Sequence, residues 1–234
     1  MTDWKLKRFW TSVTVTAVPG GHTVLLDGRQ VKTPGKSLLV VPTEAMAHAI
    51  AAEWDAQSGP VRPETMHFTR AANSAIEKVA PQFDEVVGLL AAYGETDLLC
   101  YRATGPAELA ARQAAAWDPL LDWAATSLQT PLNSTAGIVH VAQPAASVAR
   151  LHSLTGTLTP FQLAAFHDLV SLSGSLILAL AVTHDRLTPE EAWTLSRIDE
   201  TWQAELWGTD DEAVSLAEIK RLAFHQAARF WAVC

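Results

Sequence analysis

The sequence predicts an α+β fold: a small sheet-rich N-terminal domain over residues 1–75, carrying one helix, followed by an all-helical C-terminal bundle over residues 76–234. Two observations carry that prediction. Between Thr11 and Val41, β-branched and polar residues alternate in short runs punctuated by Gly and Pro, the period-two signature of half-buried strands. Beyond about residue 70 the helical period takes over, and three Thr-initiated capping signals mark successive helix starts.

The elements follow in order. Thr11 to Val18 alternates Val with Thr and reads as a strand, Pro19-Gly20-Gly21 as a turn, and His22 to Leu26 as a second strand. Asp27-Gly28 is a hairpin signal, after which Gln30 to Thr33 and Ser37 to Val41 continue a meander around Pro34-Gly35. Thr43 then suits a helix N-cap, because Met46, Ile50 and Trp54 follow at i, i+4 and i+8 on one face. That helix is expected to end near Gly59-Pro60.

In the C-terminal part, Gly105-Pro106 opens a helix with proline at its first position and Glu108 at N3. Asp118-Pro119 is expected to break it, leaving Trp117 and Trp123 on successive segments. Residues 135–142 suit either a stray strand or a loop, and the apolar run from Leu169 to Val182 reads as one buried helix, too short to span a bilayer. Thr159-Pro160-Phe161-Gln162, Thr188-Pro189-Glu190-Glu191 and Thr209-Asp210-Asp211-Glu212 all match a capping box. Gly208 is the matching stop before the last of them. There is no internal repeat.

Composition narrows the function. Hydrophobic residues at 49% and charged residues at 18% describe an ordinary globular chain, not a disordered one. A net charge of −8 argues against nucleic-acid binding, which needs a basic footprint. The charge is uneven: residues 1–40 carry +4 and the remainder −12. Cys100 and Cys234 make no disulfide framework, so reduced thiols in a cytosol-like compartment are expected. The chain begins Met-Thr-Asp-Trp-Lys-Leu, without an apolar signal core or an Arg/Ser-rich leader.

A search for chemistry returns little. No two of the eight histidines stand at i, i+3 or i, i+4, and there is no Cys-x-x-Cys, so no metal is expected. Ser173-Gly174-Ser175 lacks the frame of a nucleophile elbow. Cys100 between leucine and tyrosine suits a buried structural thiol better than a nucleophile. The glycines of the N-terminal hairpins do not form a phosphate-cradling loop. Asp97 and Arg102 suit a local pair. No enzyme signature survives.

One stretch has the chemistry of a contact surface. From Asp199 to Glu218 there are seven carboxylates and no Lys or Arg, with Trp202 and Trp207 among them. Five residues apart on a helix, the two tryptophans point about 140° apart, so one can be core while the other lies near the surface among charges. Exposed aromatics rimmed by charge suit a protein interface, with Glu200 and Glu205 beside Trp202 and Trp207 as candidate contacts. The plainer reading is a half-buried tryptophan on a solvated acidic face. Glu53 and Gln57 flank Trp54 as a second ridge, either solvated or the edge of an interface.

Several strings in order resemble one family: Lys7-Arg8-Phe9-Trp10, Leu26-Asp27-Gly28-Arg29 with Lys32-Thr33-Pro34, Glu53-Trp54-Asp55-Ala56-Gln57, and Thr65-Met66-His67-Phe68-Thr69 with Asn73. Thr96-Asp97-Leu98-Leu99-Cys100-Tyr101-Arg102, Trp117-Asp118-Pro119 and Glu200-Thr201-Trp202-Gln203 with Trp207-Gly208 complete the set. Together they resemble the assembly chaperones for the alpha subunit of the F1 sector of ATP synthase, found in mitochondria and alphaproteobacteria. The resemblance implies a non-enzymatic protein without cofactor or metal that binds free alpha subunit, covers its beta-facing surface and leaves as the ring assembles. It implies a functional acidic residue in the C-terminal tryptophan-glycine helix, which falls best on Glu200 and next on Glu205, and it maps the tryptophan of Glu-Trp-Asp to Trp54. A monomeric, cytoplasmic bacterial protein is expected. Two rivals stand beside it: a small-molecule metabolic enzyme using carboxylates of the helical domain, and a stable structural subunit of a complex.

Overall fold

The structure is a computed structural model that describes residues 7–234; the opening residues up to Leu6, on which the expectation about a leader falls, lie outside the described residues. The chain forms two compact units. The first holds the described residues up to Phe83 together with Thr159–Ala165 and Arg229–Cys234; the second holds Asp84–Leu158 and Phe166–Ala228. The architecture is α+β, a small sheet in the first unit and helices through most of the rest. No helix among the described residues is long and apolar enough to cross a membrane.

In the first unit β1 (Val13–Val18) and β2 (Gly21–Leu26) form an antiparallel hairpin in the register Val13 to Leu26 through Val18 to Gly21. β2 also pairs with β3 (Arg29–Gln30) and β4 (Val40–Val41), both antiparallel. The later strands are shorter than the sequence suggests, because Thr33 and Ser37 close a turn whose backbone bonds replace the ladder there. α1 (Glu44–Asp55) lies on this sheet, with Met46, Ala47 and Ile50 buried among Trp10, Val24, Leu26, Val31 and Leu39. Its N-cap is Thr43, whose hydroxyl accepts from the Met46 amide at 3.2 Å.

Gly21 sits where only glycine fits. Its φ is +148°, and an added Cβ would overlap the Val41 carbonyl oxygen of the neighbouring strand. Gly20, at φ +88°, faces open space. Gly21→Ala is therefore expected to destabilise the protein by about 2 kcal/mol, and Gly20→Ala by about 1 kcal/mol or less. Chemical denaturation of the pair checks this; equal midpoints would remove the steric argument.

In the first unit, past a short 3-10 turn at Pro63–Thr65, comes α2 (His67–Ser74). The second unit comprises α3 (Phe83–Ala91, from Asp84), β5 (Tyr101–Arg102), α4 (Ala107–Trp123), β6 (Thr135–Ala136) and α5 (Ala145–Gly156), then, after part of α6 (Pro160–Ser173), α7 (Leu176–Thr183), α8 (Pro189–Leu195), α9 (Ile198–Trp207) and α10 (Asp211–Trp231) as far as Ala228. Residues 135–136 are indeed a strand, but only two residues long and paired parallel to β5.

Several boundaries differ from expectation. α4 starts one residue late, with Pro106 at its N-cap and not its first position and Glu108 at N2 and not N3. Pro119 does not end α4; the helix runs through it with Trp117 and Leu120 buried on either side, and that packing outweighs the lost backbone bond. The run from Leu169 to Val182 is two helices, because Gly174 takes φ +74° and Ser175 caps α7 by accepting from the Leu178 amide at 3.0 Å. The last capping signal is shifted by one residue, Asp210 rather than Thr209 accepting from the Ala213 amide. The boxes at Thr159 and Thr188 form as written.

Asp97 holds the centre of the second unit. It is fully buried and accepts hydrogen bonds from the Leu99 amide at 3.0 Å, the Ser175 hydroxyl at 2.7 Å and the Ile177 amide at 3.0 Å. The local pair expected between Asp97 and Arg102 does not form; Arg102 reaches Asp118 at 2.7 Å and lies over the Trp117 ring. Three fixed donors from two segments satisfy the buried carboxylate, while the arginine finds its own carboxylate in Asp118.

Candidate partner interface

The acidic stretch begins on α9, which is anchored to α4 along one side. Gln113, buried in α4, donates to Asp199 at 2.5 Å, and its own carbonyl accepts from the Ala103 amide at 2.7 Å. Arg112 grips Glu205 with both terminal nitrogens, at 2.7 and 3.0 Å. That fork holds the Glu205 carboxyl below the usual carboxylate range. Glu200 pairs with Arg197 one helical turn back at 2.8 Å, and the Arg197 guanidinium rests over the Trp193 ring.

The two tryptophans part as their spacing requires. Trp202 is half-buried, whereas Trp207, the last residue of α9, is 77% exposed beside an exposed Leu206. Glu200 and Glu205 are both exposed, but each already has an arginine partner within the chain. Glu205 bridges two helices, while Glu200 pairs with the N-cap residue of its own helix. All four candidates lie on α9, Glu200 and Trp207 toward one side of it and Trp202 and Glu205 toward the other.

Glu53 and Trp54 lie in the first unit and have different surroundings. Glu53 caps α2: its carboxylate accepts from the Phe68 amide at 2.7 Å and from the Thr69 amide and hydroxyl, both at 2.8 Å. Gln57 is buried and ties Glu53, Thr65 and Arg62 together. The ridge read from the sequence is therefore internal bracing of the chain. Trp54 packs half-buried on the core, edge-on to Trp10 at 5.2 Å between ring centres.

Sequence reasoning missed the arginines that hold α9, since Arg112 stands 93 positions before Glu205. It also passed over Val214, Leu216, Ile219 and Leu222, all exposed on α10. Their irregular spacing of two, three and three residues was a signal, because it forms no narrow helical stripe.

Nothing in this region is arranged for covalent chemistry. Among the described residues no three His, Cys, Asp or Glu side chains converge as a metal site. Cys100 is buried, and burial, with the Asp97 carboxylate adding to it, pushes its thiol up to about 12. It is no nucleophile near neutral pH.

Residues 7–125 match the family described as ATP12 chaperone protein. The chain is 30% identical over 220 residues to the mitochondrial protein atp12 of Schizosaccharomyces pombe, a match that covers 88% of this chain and 75% of the yeast protein. Among solved structures, Atp12 from Paracoccus denitrificans superimposes with a TM-score of 0.96 at 51% identity, over 99% of both chains. An aspartate-to-lysine mutant of the same Paracoccus protein gives 0.97 at 50% identity, again over 99% of both. The chain belongs to the ATP12 chaperone family, whose members are chaperones and not enzymes.

Proposed function

We propose that this protein is an assembly chaperone of ATP synthase that binds the free F1 alpha subunit, masks its beta-facing surface against aggregation and releases it as F1 assembles. The observation that carries the reading is an exposed tryptophan at the end of an acidic helix, Trp207 beyond Glu200 and Glu205, in a chain of a chaperone family. A subunit awaiting its ring partners exposes apolar surface that would otherwise self-associate. A holding chaperone needs a patch that is apolar at the centre and charged at the rim, tight enough to mask and weak enough to be displaced. A bacterial cytoplasmic setting is supported by the higher identity to the Paracoccus protein than to the mitochondrial yeast one.

Co-expression with the alpha subunit of the same organism tests the reading. Soluble alpha in complex with this chain, displaced when beta is added, is the expected result; alpha that stays insoluble and unbound overturns it. Glu200→Lys refines the site. Glu200 is exposed and, among the described residues, pairs with Arg197 at the N-cap of the same helix. Loss of that pair should move stability by about 0.5 kcal/mol. Binding of alpha should weaken by about tenfold if Glu200 meets a basic residue of the client. Equal recovery of alpha by wild type and variant in a pull-down would remove Glu200 from the interface.

A further inference from the structure

The largest feature that the assignments above leave unused is the first half of α10. Every residue from Glu205 to Lys220 is exposed. Six of the large hydrophobic side chains exposed among the described residues fall within this short reach: Leu206, Trp207, Val214, Leu216, Ile219 and Leu222. Soluble proteins scatter such residues singly, and a contiguous set marks a contact surface.

The helix has two unlike halves. Beyond Arg221 it buries Phe224, Ala227 and Ala228 in the second unit, and Arg221 and His225 both reach Glu190 on α8, at 2.9 and 2.8 Å. Before Arg221 it buries nothing. On an ideal helix Val214, Leu222, Ile219 and Leu216 spread over an arc of about 200° on the side opposite Phe224 and Ala228. Asp211, Glu212 and Glu218 fall within that same arc, and Lys220 and Arg221 fall outside it. The outward face is thus aliphatic and acidic with no base in it.

We propose that this arm, from the Leu206–Trp207 corner along the outward face of α10 to Leu222, is the element that grips the client, and that it takes an apolar surface of the free alpha subunit edged by Lys and Arg. The inference rests on the alpha-subunit reading and deepens it. Charge selects the occupant. Asp199, Glu200, Glu205 and Glu218 are engaged within the chain by Gln113, Arg197, Arg112 and Arg221. Asp210, Asp211 and Glu212 enter no ion pair among the described residues, so the free end of the arm carries uncompensated negative charge. A second copy of this chain would bring the same acids against them and be repelled; a basic-edged client would be attracted.

The test uses the full chain, co-expressed with alpha, and two variants. In the first, Leu216, Ile219 and Leu222 are each changed to Gln, which keeps helix propensity and removes the apolar face; Ile219→Gln alone serves as the milder form. In the second, Asp211 and Glu212 are changed to Lys. Wild-type circular dichroism and denaturation midpoint are expected for the Gln variants, and a slightly lower midpoint for the charge variant, whose lysines oppose the dipole at the first turn of α10. Alpha affinity should be lower by about tenfold or more for both. The charge variant should also lose most of the salt dependence of binding. If wild type holds alpha and the Gln variants hold it equally, this inference falls and the alpha-subunit reading stands. If wild type itself fails to hold alpha, both fall. A wild-type dimer in sedimentation that the Gln variant converts to monomer would make the occupant a second copy and overturn the proposal.

Discussion

Asp97→Ala is expected to lower stability by about 3 kcal/mol or more, because it strands the Leu99 and Ile177 amides and the Ser175 hydroxyl in a site without water access. Asp97→Asn should cost less, about 1–2 kcal/mol, since an amide presents one donor where the carboxylate had only acceptors. The pH dependence separates the charge from the bonds. Burial raises the Asp97 carboxyl above its ordinary 3.8, outweighing the lowering effect of its donors. The folded protein then binds this proton more tightly than the unfolded chain does. Stability contributed by the protonated form is full below 3.8 and declines as pH rises through the window above it. The Asn variant has no such proton, so the gap between wild type and Asp97→Asn should narrow as pH rises from about 4. Urea denaturation across that range measures it; an Asp97→Ala midpoint close to wild type would show that the donors find other partners.

Trp117→Ala should be of similar or larger size, about 3–5 kcal/mol. Trp117 is fully buried on α4, its indole donates to the Leu195 carbonyl at 2.9 Å, and the Arg102 guanidinium covers its ring at 5.2 Å from the centre. Truncation opens a cavity, strands a carbonyl at the end of α8 and uncovers an arginine whose Nε and Nη1 have no hydrogen-bond partner. Trp117→Phe keeps most of the volume and should cost about half as much or less, chiefly the lost indole bond. A denaturation series of the two variants checks the ordering. If Phe proved as costly as Ala, the indole bond, and not the packed volume, would dominate.

Much of this fold was legible because local signals act over a few residues. The alternation at Thr11–Val18, the cap at Thr43 and the box at Thr188 each state their structure within one turn or one hairpin. Failures arose where a distant partner decides. Pro119 is tolerated inside α4 because Trp117 and Leu120 are held from elsewhere, and Asp97 turned from Arg102 to donors some eighty positions onward. In the candidate interface, the divergence of Trp202 and Trp207 could be computed from helical pitch alone. That Glu205 is clasped by Arg112, or that Glu53 caps a helix fifteen residues later, depends on tertiary placement that no spacing encodes.

The bare first half of α10 has a consequence for how this sequence can vary. Residues that bury nothing are invisible to folding: replacing Ile219 or Leu216 by a polar residue of good helix propensity should leave the native state as populated as before. Misfolding and degradation therefore cannot remove changes there. Whatever restricts these positions across generations acts through the complex they enter, so the arm's pattern of substitution would record the history of the client and not that of the fold.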